Sequence, residues 1–463
     1  MRISGIATLF TTGLVGAALV AGCASHDVAK VDPRPTKEGQ TSIPVSLNRD
    51  IDILFMVDNS GSMIEEQTSL ANNFQRFINV LENIEGGLPN VHIGVVTSDV
   101  GAGPYNISGC SGDGDNGTLQ STPRGSCNGP TGAYIEDIDD GNGGRITNYT
   151  GTLADTFSCI AQVGTSGCGF EQPLESSMRA LNGSNMANQG FLRKDALLAV
   201  VYITDEDDCS TKNTQMFDTA DTTVSDPLGP LSSYRCTEFG IDCDVGNDNP
   251  RAPGPRDGCR PRDPRGDGTD YMYHPQHYVD FFKSLKDDPS MVIMAGIIGT
   301  PTPVVVGTDP QTNNPDLQPS CSSASGEADP AVRMAWFFDQ FANRNTVTTV
   351  CQDDLSDALI LIAELLRKVI GNPCLLGNID TDPDTAGVQY DCSVSDVTNK
   401  GTDQQTETIL PECDASMSNI PCWHLEPDAA QCGSTATQLS LIVERGGGSV
   451  PPGTTVEARC VVQ

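Results

Sequence analysis

The sequence predicts an α/β fold: a doubly wound, mostly parallel sheet with two disulfide-rich insertions and a small C-terminal Cys-rich β module. Three observations predict it. The apolar runs leading into Asp58, Asp99 and Asp205 are strand-length and lack polar alternation, so both of their faces are covered. Segments with apolar residues spaced by three and four separate them, which is the helical period. Each run also ends in a carboxylate, and ligands of open α/β sheets sit outside the carboxyl ends of the strands.

Residues 1–22 read as an export signal: Arg2, then an apolar stretch from Ile6 to Val20 that is short for a membrane span. The run Leu19-Val-Ala-Gly-Cys23 resembles the lipobox of bacterial lipoproteins, which implies lipidation of Cys23. Ala24, where retention in the inner membrane calls for Asp, implies the outer membrane of a diderm cell envelope. A plain secretory signal is the alternative. Residues 23–49 are polar and Pro-containing, as in a flexible tether.

The main domain covers 50–372. The strand Ile51–Val57 is followed by a helix from about Met63 to Glu85, with Leu70, Phe74, Phe77, Ile78, Leu81 and Ile84 on one face. A second strand runs from Val91 to Asp99. Residues 100–152 are rich in Gly, Asp, Asn and Ser and read as the first insertion. Helices follow at Leu153–Ala161 and around Phe170, Leu174, Met178 and Leu181. The strand Leu197–Asp205 precedes the second insertion, 209–273. The alternation then resumes with a helix (Pro275–Leu285), a strand (Met291–Ile298), a helix (Pro330–Ala342), a short strand (Thr346–Cys351) and a helix carrying Leu355 to Val369.

Residues 373–463 lose helical periodicity and hold six cysteines. Gln438–Glu444 and Thr454–Val462 read as two strands joined by a Gly-Pro loop. Without Cys23, the 17 cysteines leave an even set, which in an exported chain predicts up to eight disulfides.

Of the 463 residues, 61 are acidic and 27 basic, a formal net charge of −34 that disfavours nucleic acid and anionic lipid surfaces as partners. Divalent cations suit such a chain. At the end of the first strand, Asp58-Asn-Ser60-Gly-Ser62 gathers three oxygen-bearing side chains at alternate positions before a helix N-terminus. Mg²⁺ favours such a set of a carboxylate, hydroxyls and water. A capped strand-to-helix turn would use the same residues.

This D-x-S-x-S resembles the metal-ion-dependent adhesion site (MIDAS) of von Willebrand factor type A domains. The resemblance covers roughly 50–372 without the insertions. It implies Asp58, Ser60 and Ser62 in the first metal loop, Thr165 (with Ser166 as rival) in the second and Asp205 in the third. Family members often follow that Asp with Gly, whereas Glu206-Asp207-Asp208 stands here. The resemblance also implies Mg²⁺ (or Mn²⁺/Ca²⁺) as cofactor and a protein or matrix ligand offering a carboxylate. Cys159 and Cys168 bracket Thr165 and Cys209 follows Asp205, so disulfides are expected to stiffen two of these loops.

Other acidic clusters (Asp113/Asp115, Asp137/Asp139/Asp140, Asp380/Asp382/Asp384) read as solvated loops, and His274/His277 as a helix start. With no H-E-x-x-H, G-x-S-x-G or P-loop, no enzymatic activity is expected. The leading expectation is a lipid-anchored adhesion or interaction protein. The alternative is a structural or assembly component of the envelope with a vestigial metal site.

Overall fold

The computed structural model describes residues 45–46, 49–84, 87–124, 126–140, 144–324, 326–342, 344–371, 374–375, 379, 390–398, 405–432, 437–446 and 454–460. The signal segment, Cys23, most of the expected tether and Asp380, Asp382 and Asp384 lie outside the described residues.

Seven strands form the central sheet: β1 (Asp50–Val57), β2 (Asn90–Thr97), β3 (Ile135–Asp139), β4 (Arg145–Thr147), β5 (Leu197–Ile203), β6 (Val292–Ile298) and β7 (Asn345–Thr349). Their order is β7-β6-β5-β1-β2-β3-β4. The pairings among β7, β6, β5, β1 and β2 are parallel, with Phe55 opposite Val95 on one side and Val201 on the other. β3 and β4 continue the sheet antiparallel. These last two come from 100–152, so the first insertion is partly sheet. Its polar composition hid the strands because β4 is exposed throughout.

Six helices cover the faces. Helices α1 (Ile64–Glu82), α2 (Leu153–Ala161) and α6 (Ser356–Gly371) pack on the face of Ile51, Ile53, Phe55 and Val57. Helices α3 (Pro173–Leu181), α4 (Gln276–Ser284) and α5 (Val332–Asp339) pack on the face of Leu54 and Met56. Phe55 anchors the first face, with ring centroids 5.7, 5.9 and 4.7 Å from Phe74, Phe77 and Phe157. Truncating a buried Phe of this kind costs about 3–5 kcal/mol. The chain winds from β1 to one side and resumes at β5 on the other. The crevice outside the carboxyl ends of β1 and β5 is therefore the topological switch point.

All sixteen cysteines from Cys110 to Cys460 pair into eight disulfides. The second insertion holds Cys209–Cys236 and Cys243–Cys259 and wraps around Arg235, a buried guanidinium that donates to the carbonyls of Pro230, Met216, Asp218, Asp221 and Gly229.

The C-terminal module contains Cys374–Cys432, Cys392–Cys460 and Cys413–Cys422. The two strands expected as neighbours lie in different sheets. Leu439–Glu444 pairs with Cys422–Pro427, whereas Thr454–Cys460 lies between Cys392–Thr398 and the short strand Val45–Ser46. That short strand belongs to the segment read as a tether. Among the described residues no helix is long and apolar enough to cross a membrane.

Candidate metal centre

Asp58 begins where β1 ends, and its own N–H still donates to the carbonyl of Ile203 on β5 (3.0 Å). Its carboxylate is fully enclosed. Oδ1 accepts from the Ser60 N–H (2.8 Å) and the Ser98 hydroxyl (3.0 Å), and Oδ2 from the Thr204 hydroxyl (2.7 Å). One carboxylate thus joins the loops after β1, β2 and β5. The Ser60 and Ser62 hydroxyls are 3.1 Å apart, and the Ser62 hydroxyl is near enough to the Asp205 carboxyl to favour its charged form. Asp58, Ser60, Ser62 and Asp205 are therefore gathered at the switch point.

Thr165 is placed differently. Gln67 on α1 donates through Nε2 to the carbonyls of Asp58 (2.8 Å) and Gly164 (2.9 Å) and accepts the Gly164 N–H at Oε1 (3.1 Å). The Gly164-Thr165 turn is thereby clamped beside the first loop. Yet no hydrogen bond links the Thr165 side chain to Asp58, Ser60, Ser62 or Asp205 among the described residues, and Ser166 is exposed. Gly167 donates to the Asn59 carbonyl (2.8 Å), and a Cβ there would stand 2.2 Å from Asn59 Oδ1. A side chain there would displace the Asn59 amide. Cys110–Cys168 and Cys127–Cys159 tie the Thr165 segment to the first insertion, and Cys209–Cys236 ties the loop after β5 to the second.

Glu171 is buried within electrostatic reach of Asp58. It is 1 % exposed, its Oε1 has no hydrogen-bond partner, and its carboxyl is pushed up to about 8 by burial and then by the Asp58 charge. Its backbone is fixed on both sides: Cys209 donates to the Glu171 carbonyl (2.8 Å), and Gln172 N–H donates to the Ser98 carbonyl (3.0 Å). Helix α3 opens at Pro173, so Glu171 immediately precedes a helix start. That was the available signal, a Glu two residues before a Pro that opens a helix. Thr165, in a Gly-flanked loop, was the better match to the family pattern.

Two further carboxylates share this environment. Asp205 is 5 % exposed, its Oδ1 has no partner, and burial, then the Asp58 charge, raises it to about 7. Glu66, on the first turn of α1, is also 5 % exposed with Oε2 unpartnered, and burial raises its carboxyl. Glu206, half-buried, lies within electrostatic reach of Glu171, and burial, then the Glu171 charge, raises its carboxyl.

The rest of the acidic run has other duties. Asp207 accepts the N–H groups of Arg333 and Met334 at the start of α5, with the nearest distances 2.9 and 3.0 Å. Asp208 forms a fully enclosed ion pair with Arg333 (2.8 Å). Asp99 does not join the centre. Its Oδ1 turns to the Gly101 N–H (2.8 Å), and from this strand end Ser98 is the contributor.

The remaining clusters form local contacts. Asp115 accepts from Thr97 (2.7 Å), Asp137 pairs with Arg145, and Asp140 accepts the Gly144 N–H (2.9 Å). His274 accepts the Gln276 N–H (3.1 Å) and His277 stacks on Tyr273, as a helix start would have it.

Three buried carboxylate oxygens, on Glu66, Glu171 and Asp205, lack a hydrogen-bond partner, and an orphaned buried acceptor is costly. Among the described residues no three His, Cys, Asp or Glu side chains come together as a metal cage.

No family model and no curated protein matches the chain. Solved structures similar to it include a von Willebrand factor type A protein from Catenulispora acidiphila, 9% identical, covering 90% of this chain and 58% of that one, TM-score 0.27. The pilus adhesin SpaC from Lactobacillus rhamnosus GG, in its open conformation, is 12% identical over 89% of this chain and 38% of its own, TM-score 0.30. BatB from Bacteroides thetaiotaomicron is 10% identical over 69% of this chain and 98% of its own, TM-score 0.26. This chain thus spans little more than half of the first and well under half of the second. Overlap at these TM-scores carries no argument, and the fold rests on the strand order and crossovers.

Proposed function

We propose that the chain is a von Willebrand factor type A-like binding protein that holds a divalent cation, Mg²⁺, Mn²⁺ or Ca²⁺, at the Asp58 centre and engages a protein partner there. The supporting observation is that the Asp58-Ser60-Ser62 loop and Asp205, whose buried Oδ1 has no partner, meet outside the carboxyl ends of β1 and β5. Asp58, Ser60, Ser62 and Asp205 would hold the cation, with Glu171 taking the place expected of Thr165. A bound cation would supply an open coordination position for a partner's carboxylate. The chain's own residues do the rest. Ser98, Thr204 and Gln67 orient Asp58, and the disulfides fix the loops.

Binding rather than catalysis is proposed in keeping with the sequence, which carries no H-E-x-x-H, G-x-S-x-G or P-loop. Lipidation at Cys23 and an outer-membrane location belong to the same proposal, as the lipobox resemblance implies. The test is thermal unfolding with Mg²⁺ or Mn²⁺ against EDTA, alongside a pull-down from envelope extract under both conditions. A cation-dependent rise in Tm and cation-dependent capture support the reading. Neither effect in the wild-type chain would favour the assembly role.

A further inference from the structure

Helix α3 and the loop that follows it share a cavity with the first insertion. It measures about 430 Å³, within the roughly 300–1,000 Å³ of small-molecule sites. Its lining departs from the apolar walls usual in such sites. Asn116, Thr118, Asn182, Ser184 and Asn185 supply amides and hydroxyls, and Met186, 72 % exposed, brings an apolar contact.

The walls are held in place before any ligand arrives. Asn188, 6 % exposed, accepts the Leu119 N–H (3.0 Å) and donates to the carbonyls of Gly117 (2.8 Å) and Ala180 (3.1 Å), which ties the insertion to α3. Gly117, at φ +66°, lies so near α3 that a Cβ would stand 2.6 Å from the Ser176 carbonyl oxygen. Asn185 donates to the Thr118 hydroxyl (2.9 Å). A site fixed in this way loses little ordering entropy on binding.

Arg179 reaches in from α3. Its Nε donates to Glu175 Oε1 (2.8 Å) and its Nη1 to Asn116 Oδ1 (2.6 Å), while the Tyr278 hydroxyl donates to Glu175 Oε2 (3.0 Å). The guanidinium is therefore gripped on two sides. Among the described residues its Nη2 makes no hydrogen bond. Asn182 accepts the Ser184 N–H (2.9 Å) and hydroxyl (2.6 Å) at Oδ1, and its Nδ2 has no partner among the described residues.

Charge and shape narrow the ligand. Glu175 and Arg179 are the charged residues of the lining and offset each other, so an anion meets no surplus positive charge. The walls are helix and loop side chains, so an extended peptide finds no strand edge to pair with. An apolar molecule would leave the amides unpaired. A polyol matches, because each hydroxyl both donates and accepts.

We propose that this cavity binds a short neutral saccharide, with Arg179 and Asn182 donating to its hydroxyls and Met186 against its C–H face. The site is separate from the Asp58 centre and needs no cation.

Saturation-transfer difference NMR of the full chain in EDTA tests this, with cellobiose, maltose and N,N′-diacetylchitobiose as probes. The wild type is expected to bind at least one of them, and Asn116→Gly/Asn182→Ala to weaken that binding roughly tenfold. Glycine suits the left-handed backbone at residue 116 (φ +52°), so the variant loses both amides and should keep its circular dichroism spectrum. Met186→Asp, at an exposed position, is expected to weaken binding without touching the fold. No transfer to any of these sugars in the wild type, or undiminished transfer in both variants, overturns the proposal. So does transfer confined to glucuronate or to a blocked trialanine peptide. Because EDTA is present throughout, none of these outcomes bears on the cation reading of Asp58.

Discussion

Arg333 and Asp208 form an ion pair of 2.8 Å with both side chains almost completely enclosed. The same guanidinium donates to the carbonyls of Asp208 (2.9 Å), Gly240 (3.2 Å) and Tyr273 (2.8 Å), while Asp207 caps the start of α5. Two of the three acids after Asp205 are thus turned away from the switch point and locked to a helix and the second insertion. Asp205 and Glu206 remain facing it.

Removing one side of this pair leaves a buried charge alone. Arg333→Ala is expected to cost about 3–5 kcal/mol in urea unfolding, and Arg333→Lys to recover only part of it, since an ammonium cannot serve four acceptors in a plane. A loss below about 1 kcal/mol would show the pair to be incidental.

Asp58→Asn keeps the size of the side chain and most of its contacts. The expected outcome is an unfolding transition still cooperative in EDTA but no longer raised by Mn²⁺. A cation-induced Tm shift as large as the wild type's would remove Asp58 from the centre.

Gly167→Ala places a methyl group 2.2 Å from Asn59 Oδ1, so the Asn59 side chain beside Asp58 must move. Its effect should appear in cation affinity, weakened roughly tenfold, which corresponds to about 1.4 kcal/mol. Titration of the variant with Mn²⁺ followed by calorimetry reads this directly, and an unchanged affinity would detach the Gly167 contact from the site.

The pH response of the cation-free chain follows from the raised carboxyls. Asp205, pushed up to about 7, and Glu171, to about 8, hold protons in the folded state at pH values where the unfolded chain has released them. The folded state then binds more protons, so stability falls as pH rises through the window from about 4 to 8. Thermal melts in EDTA across that window should show Tm declining with pH. With saturating cation the decline should flatten or reverse, because ligating carboxylates must be deprotonated. A Tm in EDTA that rises with pH over this window would contradict the assigned shifts.

Much of the architecture was legible because burial on both faces leaves a plain mark. Helix α2 was read as Leu153–Ala161 and is found there, and β5 and β6 agree with their apolar runs to within two residues. What escaped was written in polar residues. β3, with Glu136, Asp137 and Asp139, and the exposed β4 have edge-strand chemistry that composition alone assigns to a loop. In the C-terminal module, β propensity located Leu439–Glu444 and Thr454–Cys460 but could not supply their pairing, which depends on residues far away in sequence. At the centre, Asp58, Ser60 and Ser62 were legible in a local motif, and Asp205 in the carboxylate that ends a buried strand. Glu171 is brought in by a helix start, two backbone hydrogen bonds and a long disulfide-tied excursion, and none of these is periodic.

The pairing of Val45–Ser46 with Ala458 and Glu457 has a mechanical meaning. If the chain is held from its N-terminal side while a partner pulls at the switch point, tension enters through this two-residue contact. The strand it grips, Thr454–Cys460, is stapled to its other neighbour by Cys392–Cys460, whereas nothing covalent secures Val45–Ser46. Under load the short strand would peel first, lengthening the leash by a few residues before any force reached β1 in the middle of the seven-stranded sheet. This two-residue joint would then act as a shock absorber for the binding site.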